Sequence, residues 1–179
     1  MAAQMKQAVA DFDHPLQMLN ACHDRIRTQC ETLRKLAVHL PVHGCDAEAQ
    51  RAASNVMRYF DSAGRHHRED EEENLFPFLM AAAQEQNADR LSKLVDQLHR
   101  EHHELEQAWL KVRETLEPIA YGENTPLDEL EVGRFCGMYH AHMAIEDVNL
   151  IPLAQLLLSD EALAALGRSM AARRGINSP

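Results

Sequence analysis

Residues 66–79 read HHREDEEENLFPFL, and residues 140–154 read HAHMAIEDVNLIPLA. At an offset of 75 the two stretches pair His67 with His142, Glu71 with Glu146, Glu72 with Asp147, Asn74 with Asn149, Leu75 with Leu150 and Pro77 with Pro152. A histidine and a glutamate four positions apart differ by only about 40° around a helix, so both point the same way, about 6 Å apart along the axis. The flanking apolar residues mark that direction as inward. In the first stretch the apolar stripe runs Ala52, Val56, Phe60, Ala63, position 67, positions 70/71, position 74 and Phe78. In the second it runs Met138, position 142, Ile145, Asn149, Leu153 and Leu156, with Pro152 expected to bend or end the helix. Much of the acidic run 69–73 fits a solvated face; only Glu71, and less clearly Asp70, has the inward phase.

Working outward, two further segments carry the same helical period. One follows Pro15 through Leu16, Leu19, position 23, Ile26, Cys30, Leu33, Ala37 and Leu40, closed by the breakers Pro41 and Gly44. The other runs Leu91, Leu94, Leu98, position 102, Leu105, Trp109, Val112 and Leu116, ending at Pro118. These two pair with each other at an offset of 79: Leu19, His23 and Ile26 against Leu98, His102 and Leu105. Four amphipathic segments of roughly 25 residues, each near 37 Å long as a helix, predict an all-α fold, an up-down-up-down four-helix bundle. No segment alternates with the period of a strand. The expected organisation is a lead-in over 1–12, the bundle over 13–158, and a short helix with a frayed tail over 159–179.

Composition agrees. The 179 residues include only seven Gly and seven Pro, 45% are apolar, and 18 Lys+Arg stand against 28 Asp+Glu for a net charge of −10. An acidic chain lacks the basic footprint of a nucleic-acid or anionic-membrane binder. No apolar run reaches the ~18–20 residues of a membrane span, and the N-terminal stretch has no apolar core with a small-residue cleavage site. The four cysteines form no CxxC pair, so reduced thiols and a cytoplasmic location are expected. Gly-rich phosphate loops, GxSxG elbows and HExxH stretches are absent.

What remains is histidine, eleven in all. Each stripe is interrupted once by a histidine where an apolar residue is due: His23, His67, His102 and His142. A lone inward histidine is ordinarily satisfied by a polar neighbour, because burying an imidazole without a partner costs free energy. Four of them, one per helix and near the middle of each, with two inward carboxylates that are almost never buried unpaired, point to bound cations. The repeat gives two equivalent half-sites, hence two metals with Glu71 and Glu146 placed to bridge ions about 3.5–4 Å apart. Mixed imidazole and carboxylate ligands suit iron, manganese or zinc, and the lack of an in-phase thiolate excludes an iron–sulfur cluster. Iron is the expected metal, since a structural zinc site closes with four ligands; zinc or manganese are the alternatives.

The inward histidine of the first helix, HxxxEExxLFP (His67 to Pro77), EHxxL (Glu101 to Leu105) and HxxxExxxLxP (His142 to Pro152), together with the opening DHPLQML, resemble the hemerythrin-like, HHE cation-binding family over roughly residues 13–158. The resemblance implies a four-helix bundle holding two non-haem iron ions, oxo- or carboxylate-bridged. It implies O₂, NO or peroxide as the small partner, or a role in sensing iron or redox state. Position by position, it implies His23, His67, His102 and His142 as histidine ligands and Glu71 as a bridging carboxylate. In the last motif the oxygen carriers use HxxxxD, which would select Asp147; the broader family uses HxxxE, Glu146, and the repeat favours Glu146. The carriers also have HxxxH on the third helix. Here that pair is His99 and His103, out of phase with the stripe, which departs from the carrier pattern and leaves His99 in reserve. His66 is read as surface or as a neighbour of the ligands. A ferritin-like site would need Glu-x-x-His, which is absent. The expected function is a di-iron binding protein. The alternatives are a di-iron enzyme (peroxidase-like, NO-reducing or repairing iron–sulfur centres) and a zinc-bound or metal-free interaction bundle.

Overall fold

The computed structural model describes residues 11–176; residues 1–10 of the lead-in and 177–179 of the tail lie outside the described residues. Five helices are present among the described residues, and no strand. Helix α1 is Pro15–His43. Helix α2, over 47–82, is continuous but not uniform: Ala47–Tyr59, a π-turn at Phe60–Gly64, Arg65–Asp70, a second π-turn at Glu71–Leu75, and Phe76–Ala82. Helix α3 is Glu85–Ala120. Helix α4, over 129–157, comprises Glu129–Ile145, a π-turn at Glu146–Leu150, and Ile151–Leu157. Helix α5 is Asp160–Arg173.

Local chemistry sets several of these boundaries. Asp46 caps α2, its carboxylate accepting from the backbone N–H of Glu48 at 3.0 Å and Ala49 at 2.9 Å. Asp128 does the same for α4 through Leu130 at 2.8 Å, which starts that helix well before Met138. Pro41 and Pro118 do not stop their helices: α1 runs on to His43 and α3 to Ala120. A proline so close to a C-terminus removes one intrahelical bond without breaking the axis. The stop after α1 is Gly44, whose φ of 70° lies in the left-handed region that glycine enters freely.

Helices α1 and α3 each pack against both α2 and α4, closing the expected up-down-up-down ring. Helix α5 lies over α1 and the middle of α2. Residues 172–176 of the stretch expected to fray are instead tied down: Arg173 bonds Asp70, and Arg174 reaches the same carboxylate with Nη2 at 2.7 Å.

On α2 and α4 the stripes depart from the regular phase, by one residue just past the histidines. Past His67 the inward four-residue series is Glu71, Leu75 and Leu79, whereas Asn74 and Phe78 are only partly buried. Past His142 they are Glu146, Leu150, Ala154 and Leu158, whereas Leu156 is 78% exposed. Earlier in α4, Val132, Phe135 and Cys136 form the face in place of Met138, and in α2 it is Ala53 rather than Ala52 that is fully buried. Successive four-residue steps would drift about 40° each on a regular α-helix. The π-turns absorb one extra residue and keep the steps on one face. Pro77 and Pro152 explain where they fall. A proline ring clashes with the carbonyl four residues back, here that of Glu73 or Val148, and each lies inside a π-turn.

Two apolar clusters fill the bundle. One contains Ile26–Leu40 positions of α1 with Phe60, Trp109, Leu116 and Phe135. The other contains Leu19, Leu75, Leu98 and Leu150 with Leu166 and Met170 of α5. Between them, on each of the helices α1 to α4, lies a buried polar layer: His23, His67, Asp70, Glu71, His102, His142 and Glu146.

Candidate metal centre

Six of those seven residues converge. His23, His67, Glu71 and Glu146 each offer a ligand atom within 4.8 Å of the others, and so do Glu71, His102, His142 and Glu146. The two carboxylates belong to both groups, the arrangement that two half-sites related by the repeat require. All six residues inferred from the sequence are therefore brought together, one histidine from each of four helices.

The contacts within the cluster are short but not directed as hydrogen bonds. His23 Nε2 lies 3.1 Å from Glu146 Oε2, His142 Nε2 3.0 Å from Glu146 Oε1, and His102 Nε2 3.3 Å from Glu71 Oε2. His67 Nε2 is 3.6 Å from Glu71 Oε1. Even so, both oxygens of Glu71 and of Glu146, with Nε2 of His23 and His142, are buried with no hydrogen-bond partner. Buried polar atoms in folded proteins are nearly always satisfied. A set of them aimed at a common centre is the signature of an ion.

The outer faces of the rings show why these are acceptors. His23 Nδ1 bonds Asp147 at 2.7 Å, His102 Nδ1 bonds Glu72 at 2.8 Å, and His142 Nδ1 bonds Glu101 at 2.8 Å. An ionised carboxylate only accepts, so each Nδ1 carries a proton, and each of these rings, when neutral, turns its Nε2 lone pair to the centre. Each orienting carboxylate comes from a neighbouring helix, and two of the three are themselves held. Arg27 Nη2 donates to Asp147 at 2.7 Å, and Gln97 Nε2 donates to Glu101 at 2.7 Å. Such partners fix tautomer and ring angle at metal sites.

His67 is the exception. Its Nδ1 is buried without a partner among the described residues. The offset of 79 that relates His23 to His102 maps Glu101 onto position 22, and there the chain carries Cys22 instead of a carboxylate. The two half-sites share their inward residues but not their supports.

Charge follows geometry. Burial and repulsion from Glu146 push the Glu71 carboxyl well above its ordinary value. Burial likewise opposes ionisation of Glu146, but its contacts with His142 and His23 outweigh it and hold this carboxyl well below. Burial disfavours charge on His23 and His142, yet Glu146 prevails and raises both imidazoles. Burial, reinforced by His23, lowers His67 well below its usual value. The cluster thus needs positive charge at its centre, supplied by protons or by metal, and oxygen and nitrogen donors without sulfur suit a borderline or hard divalent ion. The residues present fit such ions.

Other sequence candidates fall outside. Asp147 sits on the outer nitrogen of His23, so Glu146 and not Asp147 is the inward carboxylate of the last motif. His99 is 46% exposed, 3.7 Å from Glu72 and edge-on to Phe76. His66 is half-buried and takes no part in either group. Asp70 is buried but faces the α5 arginines. Sequence reasoning left the orienting role of Glu72, Glu101 and Asp147 unread. The signal was present for two of them, since Glu72 and Asp147 are partners in the repeat.

A cavity of about 330 Å³ reaches the cluster between the helices, and His67, His102 and His142 are among its lining residues while His23 is not. No helix among the described residues is long and apolar enough to cross a membrane.

Comparison with known proteins adds two findings. The family described as the hemerythrin HHE cation binding domain matches residues 14–164. A protein of Haemophilus influenzae (strain ATCC 51907 / DSM 11121 / KW20 / Rd), described as an uncharacterized protein, is 28% identical over 170 residues, 95% of each chain.

Proposed function

This chain belongs to the hemerythrin HHE cation-binding domain family, and on that footing we propose that it is a non-haem di-iron protein that binds or responds to O₂, NO or peroxide, or that senses iron or redox state. His23 and His67 would hold one ion, His102 and His142 the other, and Glu71 and Glu146 both. The observation that carries this reading is the convergence of unpartnered polar atoms in a buried layer between two apolar clusters. When bound, such a pair of ions supplies reversible redox chemistry and ligand positions that the protein leaves open. The chain's own residues do the rest. Asp147, Glu72 and Glu101 keep three imidazoles turned inward, the apolar clusters exclude bulk water on either side, and the cavity admits a small molecule from the side away from His23.

Iron is favoured over zinc because six ligands shared by two ions leave coordination incomplete, whereas structural zinc closes with four. Elemental analysis of protein from iron-replete cells, read with its near-ultraviolet absorption under anaerobic and oxygenated conditions, is expected to give close to two irons per chain. Metal at trace level would overturn the reading. His102→Ala is expected to lose at least half of that metal. Equal metal content and equal melting temperature in variant and parent would instead favour a bundle whose buried His and Glu merely satisfy one another. Turnover of peroxide with an added reductant, against reversible O₂ binding without turnover, separates an enzyme from a binding protein.

A further inference from the structure

The cavity above His67, His102 and His142 is larger than a diatomic ligand needs. It measures about 330 Å³ and is walled by Ile26, Phe60, Leu105, Trp109 and Met143. An apolar cavity of about 150 Å³ already holds benzene, so this one accommodates a substituted single ring. Phe60 and Trp109, tilted 37° to each other at 4.8 Å between centroids, form an aromatic wall.

Charge at its mouth is neutralised internally. Arg68 pairs with Glu106 at 3.1 Å, Arg113 with Asp61 at 3.0 Å, and Arg65 with Glu69 at 3.5 Å. A strongly charged ligand would find no unpaired counter-ion there. Polar capacity exists deeper in. The Trp109 indole N–H is already given to Asp61 at 3.0 Å, but Tyr139, one turn before His142, is also in the cavity lining, and its hydroxyl can both donate to and accept from a ligand there.

We propose that this cavity binds an uncharged small organic molecule with an aryl or branched-alkyl body and one terminal oxygen function, of the alcohol and hydroperoxide class. The body packs on Phe60, Leu105 and Trp109, and the oxygen turns to Tyr139 beside the imidazole floor. The inference rests on the proposed metal centre for the purpose of that floor, and its test includes metal-free protein so that the two can fail separately.

Trp109 is the chain's one tryptophan, so its emission reports on the cavity directly. The probes are 2-phenyl-2-propanol and isopropylbenzene, the same body without the hydroxyl. Both are titrated into protein as isolated and, where circular dichroism shows the fold intact, after chelation. The alcohol is expected to change Trp109 emission saturably and to bind roughly fivefold more tightly than the hydrocarbon, the worth of one neutral hydrogen bond. Tyr139→Phe is expected to abolish that difference while leaving hydrocarbon binding within about twofold. Leu105→Trp, which intrudes where the body packs, is expected to weaken both probes by about tenfold. A linear, unsaturable response of the parent protein overturns the site. Equal binding of the two probes, unchanged by Tyr139→Phe, overturns the oxygen-directed class. Saturable binding in a chain that holds no metal would leave the cavity standing and remove the metal reading.

Discussion

Three carboxylates that never face the centre decide how well it can work. Glu72, Glu101 and Asp147 each take the Nδ1 proton of an inward histidine, and loss of such a partner ordinarily costs about 10–100-fold in metal affinity. Glu72→Ala is therefore expected to weaken binding of ferrous or manganous ion by that factor, measured by competition with a chelator, with little change in helicity. A second expectation concerns protons. Burial and the nearby Glu146 hold the metal-free Glu71 carboxyl above its ordinary range, and a protonated carboxyl or imidazolium cannot ligate. Metal uptake must then expel protons, so affinity rises with pH and metal is lost as pH falls. Mixing metal-free protein with ferrous ion near pH 7 in weakly buffered indicator is expected to release about one proton or more per chain; no release would mean that the ligands are already ionised. The inward residues were legible because phase and repeat together picked them from eleven histidines. The supports were not, because an outward carboxylate beside a ligand looks in sequence like any solvated acid.

At the scale of the element, the π-turns separate what a 3.6-residue template can find from what it misses. The template finds His67 with Glu71 and His142 with Glu146, since a four-residue step is tolerable once. It then misplaces the next turn, naming Phe78 and Leu156 where the structure buries Leu79 and Leu158. The proline following each ligand pair carried the missing information, because its ring displaces the backbone it would otherwise meet. Leu150 is fully buried and Leu156 is 78% exposed. Leu150→Ala is expected to cost about 2–5 kcal/mol, and Leu156→Ala to stay within about 0.5 kcal/mol, in denaturant titrations of the two variants side by side. Equal effects would mean that α4 keeps the regular register.

For the whole molecule, α5 is more than an extension. It lays Leu166 and Met170 on the apolar cluster that contains Leu75 and Leu150, and the arginines at its end neutralise Asp70, which is completely buried next to Glu71 in the chain. Arg173 also reaches Glu73 at 2.6 Å and Asn74 at 3.0 Å, both in the π-turn that follows Asp70. Removing one side of a buried ion pair leaves an uncompensated charge, typically at about 3–5 kcal/mol. The double substitution Arg173→Ala with Arg174→Ala is expected to lower stability by that order in urea unfolding. It should also loosen metal retention, because the turn presenting Glu71 loses its outer anchor. A variant as stable as the parent would reduce α5 to a passive cover.

The amino-acid sequence alone determined that the chain is a four-helix bundle and that His23, His67, Glu71, His102, His142 and Glu146 share its interior. Helical phase is a local property, and a repeat with constant offsets carries it from one helix to the next. Tertiary structure decided what depends on neighbours distant in the chain. It set which nitrogen of each ring faces inward, placed Asp70 under the α5 arginines, left His67 without the support that Cys22 cannot give, and put Trp109 and Tyr139 around one cavity. Hydrogen-bond partners and voids arise between helices, where no periodicity along a single helix records them.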